Sequence, residues 1–188
     1  MEAIETIMTR RSVRKYEKRQ IPDAVLEKIL RAGTYAPSAL ALQPWAFVVV
    51  QDQDFLNRVS DYCKPLMISH MKGAHDGMSD AFRALLESPG YSIYYNAPTV
   101  IMVIGKTGSR FREIDCSLCA ENLMLAAHAL GIGSCWIGST EVAYENKDLM
   151  AGFRIPEGYS PVGTIVFGYP EEKPEAHDKH PANVTWVR

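Results

Sequence analysis

Long apolar runs are missing from this 188-residue sequence, and none approaches the roughly 20 consecutive residues that a membrane-crossing helix needs. An excess of one charge is missing too, since 20 Lys and Arg stand against 22 Asp and Glu for a formal net charge of -2. That balance argues against nucleic acid or an anionic membrane as the main partner. Cysteine is scarce. Cys63, Cys116, Cys119 and Cys135 are the only four, three of them in core-like sequence. They read as reduced thiols acting as small hydrophobes. The opening residues, MEAIETIMTRR, carry two acids and no apolar h-region, so no secretory signal is expected there. Repeats, low-complexity tracts and a visible linker are absent. These exclusions leave a cytoplasmic chain forming one domain over residues 1–188, long enough to bury a core without staples.

Chemical motifs are equally sparse. A dinucleotide fingerprint needs strand, glycines and helix in that order, but Gly131 and Gly133 follow a helix-like stretch. No Walker-type lysine loop occurs. Cys116 and Cys119 form a lone CxxC without a second pair, and the five histidines do not supply partner spacing, so no metal is expected. His128, on an otherwise apolar helix, reads as a hydrogen-bonded core histidine, and His70 and His75 carry no reading. No nucleophile, general base and orienting group can be brought together by spacing. Any chemistry is therefore expected to reside in a bound cofactor.

What is present begins with DCSLCAENLMLAAHALGIGSCWIG, Asp115 to Gly138. Its first half is apolar nearly all round a 3.6-residue wheel, which predicts a central helix packed on every face. Gly131 or Gly133 can end that helix in a left-handed turn, and Cys-Trp-Ile then starts a buried strand. Before it, Glu2–Thr9 and the stretch from Pro22 to Gly33 read as amphipathic helices. Phe47–Val50, Pro98–Ile104 and Val162–Phe167 read as strands. Asp52–Cys63 reads as a helix stopped by Pro65, and Val142–Met150 as a short helix. Residues 66–96 form a variable excursion with one possible helix from Met78 to Leu86, and residues 169–188 an extended arm. Four short strands among helices predict an α+β fold: a small mixed or antiparallel sheet covered by helices around the central one.

Arg10, Arg11, Arg14 and Lys15 place four cations around Ser12. Guanidinium forks and a hydroxyl suit phosphate oxygens, while a solvated helix end with cations at its negative pole explains the same residues. Both readings stay open on this stretch alone.

Five blocks in order then carry a resemblance: TRRSVRKY, APSALALQPWAF, NAP, ENLMLAAHALGIGSCWIG and PVGTIVFGYP. Together they are similar to the nitroreductase family of flavoenzymes, over most of the chain outside residues 66–95. The resemblance implies FMN bound at a homodimer interface, and two electrons passed from NADH or NADPH to nitroaromatics, quinones or related acceptors. It implies that Arg10, Arg11 and Ser12 hold the FMN phosphate and ribityl chain, with Arg14 near the pyrimidine end of the ring. Pro37, Ser38 and Gln43 would pack on the flavin from the second subunit, and Ile137 and Gly138 would offer backbone at the flavin edge. Lys179 matches a C-terminal phosphate ligand, with His177 beside it. The arm would embrace the other subunit. Ala41 stands where the family often has Asn, so one polar contact is replaced. A flavin-binding sensor or storage protein is an alternative, as is a same-fold reductive dehalogenase or flavin-cleaving enzyme. For the dehalogenase, Glu87 and Tyr91 lie in the excursion but no Lys follows them within it.

Overall fold

The computed structural model describes residues 2–71, 77–176 and 178–188. His75 and His177 lie outside the described residues. The apolar run predicted at 98–104 becomes β2 (Thr99–Lys106), buried along all but its last residue. It forms the middle of a four-stranded antiparallel sheet with β1 (Trp45–Val50), β4 (Tyr159–Gly168) and β3 (Gly133–Trp136), in the order β1-β2-β4-β3. A strand covered on both faces loses the polar alternation of a half-exposed one. Here Val100, Met102 and Ile104 enter one apolar cluster, while Ile101 and Val103 enter the other.

On the second face lie α2 (Asp23–Gly33) and the central helix α5 (Arg112–Ala129). Cys116, Cys119, Ala120, Leu123 and Ala127 of α5 are fully buried between that face and Leu26 and Ile29 of α2. Packing on every side is met along most of α5 but not along one stripe: Ile114 and Leu118 are 61% and 42% exposed. Gly131, at φ 76°, closes α5 in the left-handed turn expected of it, with the amide of Ile132 reaching back to the carbonyl of Ala127 at 2.9 Å. Gly133 serves a different need. A Cβ there would stand 2.8 Å from the side chain of Val13, so only glycine lets the N-terminal segment lie against β3.

The first face is covered by α3 (Gln53–His70), a 3₁₀ turn (Gly138–Ala143) and α6 (Lys147–Gly152). Two boundaries differ from expectation here. The helix expected to stop at Pro65 runs on to His70 with Pro65 inside it. A proline within a helix costs about 3 kcal/mol. Phe55, Leu56, Val59 and Cys63 bury one side of α3, and Met67 and Ile68 continue the contact beyond the proline, which offsets that cost. The single helix expected over Val142–Met150 is instead a 3₁₀ turn and α6, divided where the side chain of Asn146 caps α6. The helix in the excursion is present as α4 (Gly77–Glu87).

The first helix, α1 (Ala3–Thr9), turns its sequence pattern inside out. Thr6 is its buried residue, whereas Ile4, Ile7 and Met8 are 69%, 57% and 69% exposed. Among its described residues the arm beyond Tyr169 has almost no regular structure, and Val184, Trp186 and Val187 are exposed. Among the described residues, no helix is long and apolar enough to cross a membrane.

Candidate functional site

Residues 12–17 run along the open edge of β3 and the end of β4. The amide of Val13 donates to the carbonyl of Ser134 at 3.1 Å, that of Glu17 to Tyr169 at 2.9 Å, and that of Glu171 to Lys15 at 3.0 Å. This pairing brings a segment near the N-terminus to a strand more than a hundred residues away. It also opens a cavity of about 590 Å³ between the end of α1, the last turn of α5, the start of β3 and the arm from Glu172 to Ala176. That volume lies within the roughly 300–1,000 Å³ typical of small-ligand sites.

The four predicted residues of the basic run divide between two tasks. Arg10 lines the cavity and its Nε stands 3.5 Å from a carboxylate oxygen of Glu121. Ser12 sits beside the cavity at the bridge to Ser134. Arg11 lines the cavity too, but its Nη1 donates to the carbonyls of Met8 at 2.8 Å and Arg10 at 2.7 Å. That is the helix-end role, since these carbonyls form the negative pole of α1. Arg14 leaves the cavity and reaches the other side of the segment, where its guanidinium stands 6.0 Å from the ring centre of Tyr95. Tyr91 meets Tyr95 edge-on at 6.1 Å, while Glu87 is exposed at the end of α4. Burial pushes the Cys135 thiol up, and nearby Arg14, a hydrogen bond from Ser12 and Arg10 pull the other way.

Ile137 and Gly138 continue directly from β3. Ile137 is buried with its amide committed to Thr164 at 2.8 Å, whereas Gly138 is exposed with open space where a Cβ would stand. Ser134, Ile137 and Gly138 thus mark one track from the cavity along the strand. Lys179 is exposed on the arm, and among the described residues it is not on the cavity wall, which the arm lines from Glu172 to Ala176.

Pro37, Ser38 and Gln43 are not brought to this place within one chain. Their loop is fastened at the first turn of α5: the amide of Ala39 donates to Asp115 Oδ1 at 3.1 Å, and that of Gln43 to Ser38 Oγ at 3.0 Å. The cavity lies at the opposite end, by His128, thirteen positions further along α5. At a rise of about 1.5 Å per residue this separates the two groups by roughly 20 Å.

Two cavity residues escape any sequence signal. His128 is hydrogen-bonded as expected, through Nε2 to Thr9 Oγ1 at 2.9 Å, but it is half-buried and faces the cavity. Ser134 is 2% exposed and its Oγ has no hydrogen-bond partner. Ser134 lines the same cavity as Arg10 and Arg11, and an orphaned hydroxyl with two guanidinium side chains is a donor set of the kind that suits a phosphate. Among the described residues, no group of His, Cys, Asp or Glu side chains is placed to hold a metal ion.

The profile of the Nitroreductase family matches residues 7–169. A protein of Methanothermobacter thermautotrophicus, assigned by name as an NADH dehydrogenase/NAD(P)H nitroreductase, is 32% identical over 182 residues, covering 95% of this chain and 82% of that one. The crystal structure of a Bacteroides fragilis nitroreductase with bound FMN superposes with a TM-score of 0.80 at 32% identity, covering 100% of both chains. An iodotyrosine deiodinase bound to FMN and 3-iodo-L-tyrosine has a TM-score of 0.75 at 20% identity, covering 100% of this chain and 98% of that one, a likeness of fold alone.

Proposed function

The chain belongs to the nitroreductase family, and from that premise we propose that it is a cytoplasmic FMN-dependent oxidoreductase that takes two electrons from NADH or NADPH and passes them to nitroaromatic, quinone or related small acceptors. The observation that carries this reading is the cavity itself, where the fold brings Arg10, Arg11 and the orphaned hydroxyl of Ser134 together beside Ser12. FMN, when bound, supplies the hydride chemistry. The chain supplies binding and charge. Arg10 and Ser12 hold the phosphate end, with Arg11 able to turn from its carbonyls and Lys179 reaching in from the arm. The backbone at Ile137 and Gly138 fixes the ring edge. Arg14 would supply a cation toward the pyrimidine side, where it would stabilise developing negative charge and favour acceptance of hydride. Substrates need only be held with reacting atoms about 3–3.5 Å apart, so no acid or base is required of the protein.

Pro37, Ser38 and Gln43 then belong to a second copy's site, and the protein is a homodimer with shared FMN sites. The unpaired edge of β1 supports this. It borders a groove where Val49 is 39% exposed, and the arm ends in Val184-Thr185-Trp186-Val187, a strand-prone run with no cover of its own. An arm exchanged between subunits would close that edge by adding a strand.

The test is direct. The purified protein is expected to be yellow, to release FMN on denaturation, and to bleach when NADH or NADPH is added without oxygen. A colourless protein that does not take up FMN would refute the reading. A yellow protein that neither nicotinamide bleaches would make it a flavin carrier instead.

A further inference from the structure

His128 and Ser134 approach one cavity from elements that sequence distance does not link, the last turn of α5 and the first residues of β3. The imidazole is already oriented. Thr9 Oγ1 donates to the carbonyl of Glu5 at 2.6 Å and stands 2.9 Å from His128 Nε2, which fixes that edge of the ring against α1. Ser134 Oγ is the cavity's unpartnered buried hydroxyl.

On the footing that FMN is the cofactor, we propose that His128 and Ser134 complete its phosphate subsite beside Arg10 and Arg11, and that phosphate binding draws a proton onto His128.

The electrostatics support this coupling. His128 lies below the ordinary imidazole range, through burial first and then through Arg10 and Arg11. On the cavity wall Glu5, Glu172 and Glu175 favour the imidazolium and Lys173 opposes it; on its own helix Glu121 is held by Arg10. The guanidinium groups and burial outweigh those carboxylates. A phosphate monoester brings about -1.5 to -2 charges at neutral pH. Seated between Arg10 and Arg11, it offsets the repulsion that adds to burial in lowering the proton affinity of His128. The cofactor's own phosphate behaves oppositely, losing charge as pH falls through about 6. A tighter grip at lower pH can therefore not come from the ligand.

The experiment uses flavin-free full-length protein titrated with FMN and with riboflavin, which lacks the phosphate, near pH 6 and near pH 8. His128→Gln keeps a donor for Thr9 but cannot become charged. It is expected to weaken FMN about tenfold near pH 6 and far less near pH 8. Ser134→Ala is expected to weaken FMN about threefold to tenfold at both pH values. Riboflavin affinity should be unchanged in both variants, which also confirms that they fold. In NMR titrations the His128 ring signal, identified by its loss in His128→Gln, should titrate below about 6.5 without FMN and above it with FMN. Tight FMN binding with the same FMN-to-riboflavin ratio in wild type and both variants would overturn the proposal and leave the cofactor reading standing. Failure of wild type to bind either flavin would overturn both.

Discussion

Arg10 and Glu121 form an ion pair whose side chains are 24% and 46% exposed, and pairs so open to water contribute about 0–1 kcal/mol. Turning Arg10 from Glu121 to a phosphate therefore costs little, while a charge-assisted bond contributes about 1.5–3 kcal/mol. Arg10→Ala is expected to weaken FMN binding by that amount, read as flavin content after dialysis; full retention would remove Arg10 from the site. His128 carries a separate prediction for the flavin-free protein. Its proton affinity is lowered by folding, so the folded state binds fewer protons than the unfolded chain. The stability contributed by the neutral ring is present above the unfolded value near 6.5 and lost as pH falls through the lowered folded value. Denaturation midpoints measured from about pH 7.5 down to about 5.5 should fall further in wild type than in His128→Gln.

At the scale of elements, the loop from Pro37 to Gln43 is held in an unusual backbone. Leu40, Ala41 and Gln43 have φ of 52°, 54° and 45°, in the left-handed region that L-residues other than Asn, Asp and Gly avoid. This bears on the residue that replaces the family's usual Asn. Asn tolerates the conformation because its short polar side chain bonds locally, whereas Ala gains nothing there. Ala41→Asn is expected to raise stability by about 0.5–1 kcal/mol, visible as an upward shift of the thermal midpoint. An unchanged or lower midpoint would mean that the loop is fixed by Asp115 and Ser38 alone. The strain is affordable because those two side chains anchor both ends of the turn.

For the whole molecule, the exposed apolar residues fall into groups that a second copy could cover. Ile4, Ile7 and Met8 present the apolar side of α1, Ile114 and Leu118 form a stripe on α5, and Leu40 and Leu42 crown the strained loop. A second copy covering these surfaces would bury roughly 2,000–5,000 Å². Sedimentation should show one species near twice 21.0 kDa, and Ile7→Glu should weaken it and release flavin. A stable flavin-loaded monomer would contradict the shared site. A kinetic prediction belongs to the same scale. Among the described residues no strand–glycine–helix unit is present for the nicotinamide, and the scheme that goes with the proposed function has donor and acceptor use one position in turn. Initial rates should give parallel double-reciprocal lines, with high acceptor competing against the donor. Intersecting lines would defeat the single-position scheme without touching the FMN assignment.

The run of apolar residues in β2 and the wheel of α5 determine the sheet and its central helix by themselves, because burial on both sides leaves a pattern that neighbours in the chain can carry. The glycines of Gly131-Ile-Gly133 and the order of the five blocks are legible for the same reason. Pattern within one element does not state which way that element turns. Only packing decided that α1 buries Thr6 and leaves Ile4, Ile7 and Met8 outside, and that α3 continues through Pro65 because contacts on both sides of it offset a lost backbone bond. Only the pairing of residues 12–17 with β3 and β4 placed Arg10 beside Ser134 and His128. Arg11 looked equivalent to Arg10 in sequence, yet the carbonyls at the end of α1 engage it first. Those choices depend on contacts between residues far apart in the chain, whose energies no local spacing records.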